Sequence, residues 1–262
     1  MKCFICYNKI SYRIALTIRD ESDVIVVRGK RINPNETEKN VLAYHWRTKL
    51  LLFYYSFLNV EVILPHWKHS NFLLILHRIA RKISYVEDGL DTYRINPKNI
   101  EASEVRLGAY YYFLDLGHQP EKWLDKLKLV PVPFIKHKLT SSDSGNVKFL
   151  AEAKRICVES PGVQPQKLDD KNTIIVTHPS AHKQEQFINA KRTPANVFLD
   201  LESVLAVCNQ EIWCGETFTA LIIIGIYKKE NVIICVDKLV AENTPILSEA
   251  ANSRLQMSHP MG

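Results

Sequence analysis

The chain has 262 residues, of which 46% are hydrophobic and 24% charged, and its net charge is +6. That length suits one large globular domain or two small ones. The basic residues fall in short clusters rather than a stripe, which argues against a nucleic-acid surface. The mild positive charge suits anionic ligands or a weak pull toward an anionic membrane.

In chain order, Lys2–Tyr7 reads as a first strand ending at Asn8. Ser11 then looks like the N-cap of a helix carrying Ile14, Leu16 and Ile18. Asp23–Val27 is a second strand, and this strand–helix–strand opening predicts a parallel α/β layer. Residues 31–39 are polar with a proline, hence a loop. Leu42–Phe57 is helix-like, Val60–Leu64 a third strand stopped by Pro65, and Asn71–Lys82 an amphipathic helix. Ile83–Val86 is a fourth strand. Ile100–Leu116 reads as helical. Leu129–Ile135, with Pro131 and Pro133, reads as an edge strand or an extended crossing segment.

Thr140–Asn146 has the composition of a linker. Beyond it, Val147–Val158 reads as a helix and Thr173–Thr177 as the clearest strand of the second half. Helical residues around Gln184–Ala190, a helix near Leu201–Cys208 and a strand near Glu211–Cys214 come next. Thr217–Tyr227 is a strongly apolar helix, Asn231–Val236 a final strand, and Pro245 opens a C-terminal helix. Strands alternating with helices on both sides of the linker predict two α/β layers facing a cleft, divided into residues 1–139 and 140–262.

Six cysteines are too few for a disulfide scaffold at this length and read as buried small hydrophobes in a reducing compartment. Cys3 and Cys6 form a CxxC, but residues three apart on a strand point to opposite faces, so a shared metal is not expected. The start of the chain lacks a signal-peptide pattern. The most apolar stretch, Leu50–Leu64, is too short to span a bilayer, so the expectation is a cytoplasmic protein, with peripheral membrane contact left open.

Three places can carry chemistry. Ile83–Val86 ends in Glu87-Asp88-Gly89, two carboxylates at a strand end followed by a residue that permits a sharp turn. A general base needs one carboxylate in reach of a hydroxyl, and the other can orient it; the alternative is an ordinary acidic turn. Thr173–Thr177 ends in His178-Pro179, and a histidine there can donate to a phosphate or cap the next helix. Gly215-Glu216-Thr217-Phe218-Thr219-Ala220-Leu221 reads as a glycine before a helix start with hydroxyls in its first turn, a place for an anion or a plain N-cap. His178 and His182, like His66 and His69, invite zinc, but no ligand set completes a site, and no metal is expected.

These three motifs in this order resemble those of bacterial sialyltransferases of the polysialyltransferase and lipooligosaccharide-sialyltransferase type. The family's marks are an acid-acid-glycine motif, a later His-Pro motif and a Ser/Thr-containing helix start. Cys6-Tyr7-Asn8 before a helix also looks like the family's first strand and loop. This chain carries Thr217 and Thr219 where the family usually carries serines.

The resemblance implies a two-domain GT-B fold with Rossmann-like halves. It further implies metal-independent, inverting transfer of sialic acid from CMP-sialic acid to a hydroxyl of a capsule or lipooligosaccharide glycan, with no cofactor. On it, Glu87 or Asp88 deprotonates the acceptor, with the longer Glu87 favoured, and His178 protonates or stabilises the departing CMP phosphate. Thr217 and Thr219 hold that phosphate or the ribose, while Gly89, Pro179, Gly215 and Asn8 line the substrates. Another GT-B transferase using a donor such as CMP-Kdo, and a non-catalytic α/β binding protein, are the alternatives. Acceptor, linkage and oligomeric state are not fixed by these residues.

Overall fold

The computed structural model describes residues 1–28, 39–65, 71–87, 89, 106–112, 128–136, 138–159, 171–177, 190–194, 197–215, 217–237 and 255–258. The chain divides into two compact units, Met1–Ile135 and Lys136–Gly262.

The first unit runs β1 (Lys2–Cys6), α1 (Lys9–Ile18), β2 (Val24–Val27), β3 (Val41–Ala43), α2 (Trp46–Phe57), β4 (Glu61–Leu64), α3 (Asn71–Ile79), β5 (Lys82–Val86), β6 (Arg106–Tyr111) and β7 (Lys128–Pro131). Its seven strands lie in the order β3-β2-β1-β4-β5-β6-β7. Every pairing is parallel. The strands are apolar runs because a parallel sheet is covered on both faces. The pleat sends Cys3, Ile5, Val62 and Leu64 into the core layer that holds Leu52 and Leu76, and Phe4, Cys6 and Ile63 into the layer that holds Ile14 and Ala15. Cys3 and Cys6 therefore lie on opposite sides of the sheet. Each of these side chains contributes about 1.5–3 kcal/mol by full burial if aliphatic or aromatic.

The second unit runs α4 (Ser141–Ala151), β8 (Arg155–Val158), β9 (Thr173–Thr177), β10 (Lys191–Pro194), α5 (Leu201–Val207), β11 (Glu211–Cys214), α6 (Phe218–Leu221) continued by a π-helical turn (Ile222–Ile226), β12 (Val232–Asp237) and β13 (Leu255–Ser258). The strand order is β10-β9-β8-β11-β12-β13. It too is parallel throughout. In each sheet the chain winds outward in one direction from its first strand and then returns to wind in the other. The switch falls between β1 and β4 in the first unit and between β8 and β11 in the second. Two Rossmann-like sheets result.

Several expectations need correction. The N-cap of α1 is Asn8, not Ser11; the Asn8 side chain accepts from the N–H groups of Ile10 and Ser11, each at 3.0 Å, and Ser11 closes the capping box from the third helical position. Leu42–Ala43 belong to β3, and α2 starts only after His45, whose Nδ1 caps it. A three-residue strand leaves too few apolar positions to register against the helix pattern behind it. The helix of residues 71–82 stops at Ile79, and Lys82 opens β5.

Residues 106–111, expected in a helix, form β6. The apparent linker at Thr140–Asn146 is a helix start: Asp143 N–H donates to Thr140 Oγ1 at 3.1 Å, and the Asp143 carboxylate accepts from Thr140 N–H at 2.8 Å. Capping residues and linker residues have the same composition. The expected helix Val147–Val158 is the end of α4 followed by β8. β10 (KRTP) is a polar edge strand invisible to an apolar pattern. β13 follows the strand expected to be last. The loop at 31–38, the helical expectation over 184–189 and the helix from Pro245 lie outside the described residues.

Candidate active site

In open α/β sheets ligands sit beyond the carboxyl ends of the strands, near the switch point. In the first unit the residues immediately after the strands are, in sheet order, Tyr44, Arg28, Tyr7, Pro65, Glu87, Tyr112 and Val132. Neighbouring strands stand about 4.8 Å apart, so Arg28 and Glu87, three strands apart, are separated by about 14 Å along this edge.

Glu87 is fully buried. Its backbone N–H donates to Tyr110 O at 3.1 Å, and its carboxylate accepts the Tyr112 N–H at 2.7 Å. The side chain thus ties the end of β5 to the end of β6. The fully buried Tyr111 phenol beside it is pushed well above its ordinary pKa, first by burial and then by the Glu87 charge. Gly89 has φ 104°, a conformation that glycine adopts without penalty, so the motif's glycine is demanded by the backbone. Asp88 lies outside the described residues.

Asn8 stands at the switch point, its Oδ1 committed to the start of α1. Beside it is a cluster that composition did not reveal. The Arg28 guanidinium donates to Tyr7 Oη at 2.7 Å and lies 4.8 Å from the Tyr7 ring centre and 5.2 Å from that of Tyr44. Lys49 Nζ lies 5.6 Å from the Tyr44 ring and 5.9 Å from the Phe72 ring, and Tyr44 and Phe72 meet edge to face at 6.3 Å. Among the described residues neither cation meets a carboxylate. Two cations held against aromatic faces can meet an anionic group. The signal was scattered: one aromatic or basic residue after each of β1, β2 and β3, visible only once their ends are aligned.

In the second unit, Gly215 follows β11 and is buried. Thr217 caps α6 by accepting from Ala220 N–H at 3.2 Å, and Thr219 Oγ1 donates to Glu202 at 3.1 Å. The N-cap acceptance leaves the Thr217 hydroxyl proton to be directed elsewhere. Across the switch point stands Glu159, the residue after β8, only 3% exposed. Arg192 Nη1 is 3.5 Å from its Oε1, but among the described residues neither carboxylate oxygen accepts a hydrogen bond. A buried carboxylate in that condition calls for a donor. Its signal was the one that picked out Glu87, an apolar strand ending in an acid (Ile156-Cys157-Val158-Glu159), and reading that segment as a helix hid it. His178 and Pro179 lie outside the described residues, directly after β9.

The groups described can tie strand ends together, present cations to an anion and accept hydrogen bonds at the buried carboxylates Glu87 and Glu159. Among the described residues no cluster of metal-ligating side chains forms, and no helix is long and apolar enough to cross a membrane.

The chain is similar to the crystal structure of a sialyltransferase from Photobacterium damsela, with a TM-score of 0.53 at 11% sequence identity. The likeness covers 98% of this chain and 81% of that one. No family model and no curated protein matches the chain. At that identity the likeness speaks for the fold: a mixed α/β chain with parallel, Rossmann-like sheets of the kind found in a glycosyltransferase.

Proposed function

We propose that the chain is an inverting glycosyltransferase that moves sialic acid from CMP-sialic acid to a hydroxyl of a glycan, with the GT-B division of labour: acceptor chemistry in the first unit, donor binding in the second. The observation that carries the reading is a fold likeness to a sialyltransferase spanning nearly the whole chain. Fold alone does not specify chemistry, so the residues at the strand ends bear the rest.

In the reaction the acceptor oxygen attacks the anomeric carbon, the bond from that carbon to the CMP phosphate breaks, and the acceptor proton passes to a carboxylate. Glu87 was the favoured base on reach alone. Its burial and its bond to Tyr112 instead support a positioning role, with Asp88 as the carboxylate that takes the proton. His178 balances the charge growing on the departing phosphate, and Thr217 offers it a hydroxyl. Pro179 stiffens the segment after His178, Gly215 lets the donor approach, and Thr219 steadies the helix start through Glu202. Glu159 accepts a ribose hydroxyl. Arg28, Lys49 and Tyr44 receive the acceptor, and their charge favours one that is itself anionic, such as a glycan ending in sialic acid. No metal takes part on this reading.

The test is ligand binding followed by turnover. CMP raises the melting temperature, whereas UDP and GDP leave it unchanged. Transfer from CMP-sialic acid is then measured with lactose-terminated and sialic-acid-terminated acceptors, with and without EDTA. Stabilisation by UDP and not CMP would overturn the donor assignment. A protein that binds CMP but transfers to neither acceptor would be a binding protein, and loss of turnover in EDTA would bring a metal into the mechanism.

A further inference from the structure

Helix α2 is apolar on two sides. Leu52 faces the core, flanked by the buried Thr48 and Ser56. On the other side Trp46 is 64% exposed, Leu50 60%, Phe53 44%, Tyr54 59% and Phe57 46%, with Leu58 just beyond at 38%. Positions 46, 50, 53, 54 and 57 recur at helical spacing and form one stripe about 18 Å long. Of the twelve exposed large hydrophobic side chains among the described residues, five lie on this one helix and a sixth is its C-cap, Leu58. Single exposed hydrophobes are ordinary; a row of them is a contact surface.

The charges around the stripe select the partner. The helix (WRTKLLLFYYSF) contains no acid and carries the exposed cations Arg47 and Lys49 at its start. At its other end the Arg81 N–H donates to Ser56 O at 3.2 Å, which sets a further exposed cation beside the last turn. None of these cations meets a carboxylate among the described residues. A twofold contact between two copies would put the same basic, acid-free helix on both sides, with nothing to answer its charge. Tryptophan and tyrosine beside basic side chains are instead the composition of a surface that rests at the lipid–water boundary.

We infer that the outer face of α2 is a membrane-docking surface, its apolar stripe entering the headgroup–acyl boundary of an anionic bilayer while Arg47 and Arg81 meet lipid phosphates. The inference is independent of the proposed reaction, since it rests on exposure and charge alone.

The experiment is co-sedimentation of the full chain with phosphatidylcholine vesicles, with and without phosphatidylglycerol. The wild type pellets with the mixed vesicles and less so with neutral ones. The triple variant Leu50→Ser/Phe53→Ser/Phe57→Ser stays in the supernatant with both, its circular dichroism melt showing that it is folded. Arg47→Gln/Arg81→Gln weakens binding to the anionic vesicles by about fivefold per cation removed and makes it less sensitive to salt. Trp46→Phe still binds, but the blue shift of tryptophan emission on adding vesicles is lost, which locates the contact at α2. Three results would overturn the inference: no pelleting of the wild type, undiminished pelleting of the triple variant, or a blue shift that survives Trp46→Phe. So would a wild type that forms dimers in solution through this face, shown by light scattering and abolished in Leu50→Asp, with no affinity for vesicles.

Discussion

The Glu87 carboxylate accepts the backbone N–H of Tyr112 at 2.7 Å, while the Glu87 N–H donates to Tyr110 O at 3.1 Å, so one residue ties β5 to β6 twice, once in each direction. An acidic residue in this position is structural before it is chemical. It holds the strand end from which the next residue, Asp88, departs.

That relationship separates the two acids experimentally. Glu87→Ala leaves the Tyr112 N–H without its acceptor and should lower the unfolding free energy by about 1–3 kcal/mol in urea titrations, while Glu87→Gln keeps an acceptor oxygen and should lose about 1 kcal/mol or less. Asp88→Asn should leave the urea midpoint unchanged and lower kcat by roughly a hundredfold or more, the scale of general-base catalysis. A stable, inactive Glu87→Gln beside an active Asp88→Asn would reverse the assignment.

For the acceptor side, Arg28→Met and Lys49→Met keep much of the apolar stem and remove the charge. A charge-assisted hydrogen bond contributes about 1.5–3 kcal/mol, so KM for a sialic-acid-terminated acceptor should rise about tenfold or more. KM for a neutral lactose-terminated acceptor should change little. Equal rises for both would mean that the cluster holds the fold of the strand ends rather than reading charge.

At the donor side, Thr217→Ala removes the N-cap of α6 and should lower stability by about 1 kcal/mol, readable as a lower melting temperature. Thr217→Asp restores a cap without any proton donor. If Thr217 also serves a phosphate, the Asp variant recovers the melting temperature but not the affinity for CMP in calorimetry. Recovery of both would leave Thr217 a cap and nothing more.

Alkaline stability follows from buried acids of another kind. Burial, then the Asp23 charge, pushes the Cys3 thiol from 9.0 up to about 12. Burial, then the charge and hydrogen bond of Glu61, pushes the Tyr110 phenol from 10.0 up to about 12. Both folded values lie above the unfolded ones, so the stabilisation is complete below about pH 9 and is lost as the pH climbs toward 12. Urea midpoints measured between pH 8 and pH 11 should fall, and Cys3→Ala/Tyr110→Phe should flatten that decline. An unchanged slope would show that these groups do not govern it.

Where the sequence pattern was strong, it located the elements. Apolar runs such as Val24–Val27, Ile174–Val176 and Ile212–Cys214 stand out because the middle of a strand covered on both faces has no polar positions to blur it. Failures came where one residue type serves two structures. Thr140 and Asp143 cap a helix with the side chains that also fill linkers, and β10 holds its place at a sheet edge with lysine and arginine. At the site, the strand-end acid was visible at Glu87, whereas its counterpart Glu159 was concealed by a misplaced helix. The Tyr7–Arg28–Tyr44 cluster could not be read at all, since its members are scattered in sequence and only the parallel register of β1, β2 and β3 aligns them.

That register has a consequence for how such a chain can change. The strands answer to the core, and every substitution in them is felt by the covering layer on its own face of the sheet. The residue just past a strand answers to what lies beyond the edge, except at Glu87, which also ties β5 to β6. Tyr44, Arg28, Tyr7 and Glu159 occupy such positions, so a descendant can trade its ligand by altering a handful of scattered letters while the strands and their register stay as they are. Sheets that change this way keep their winding long after the letters beyond their strand ends have been replaced.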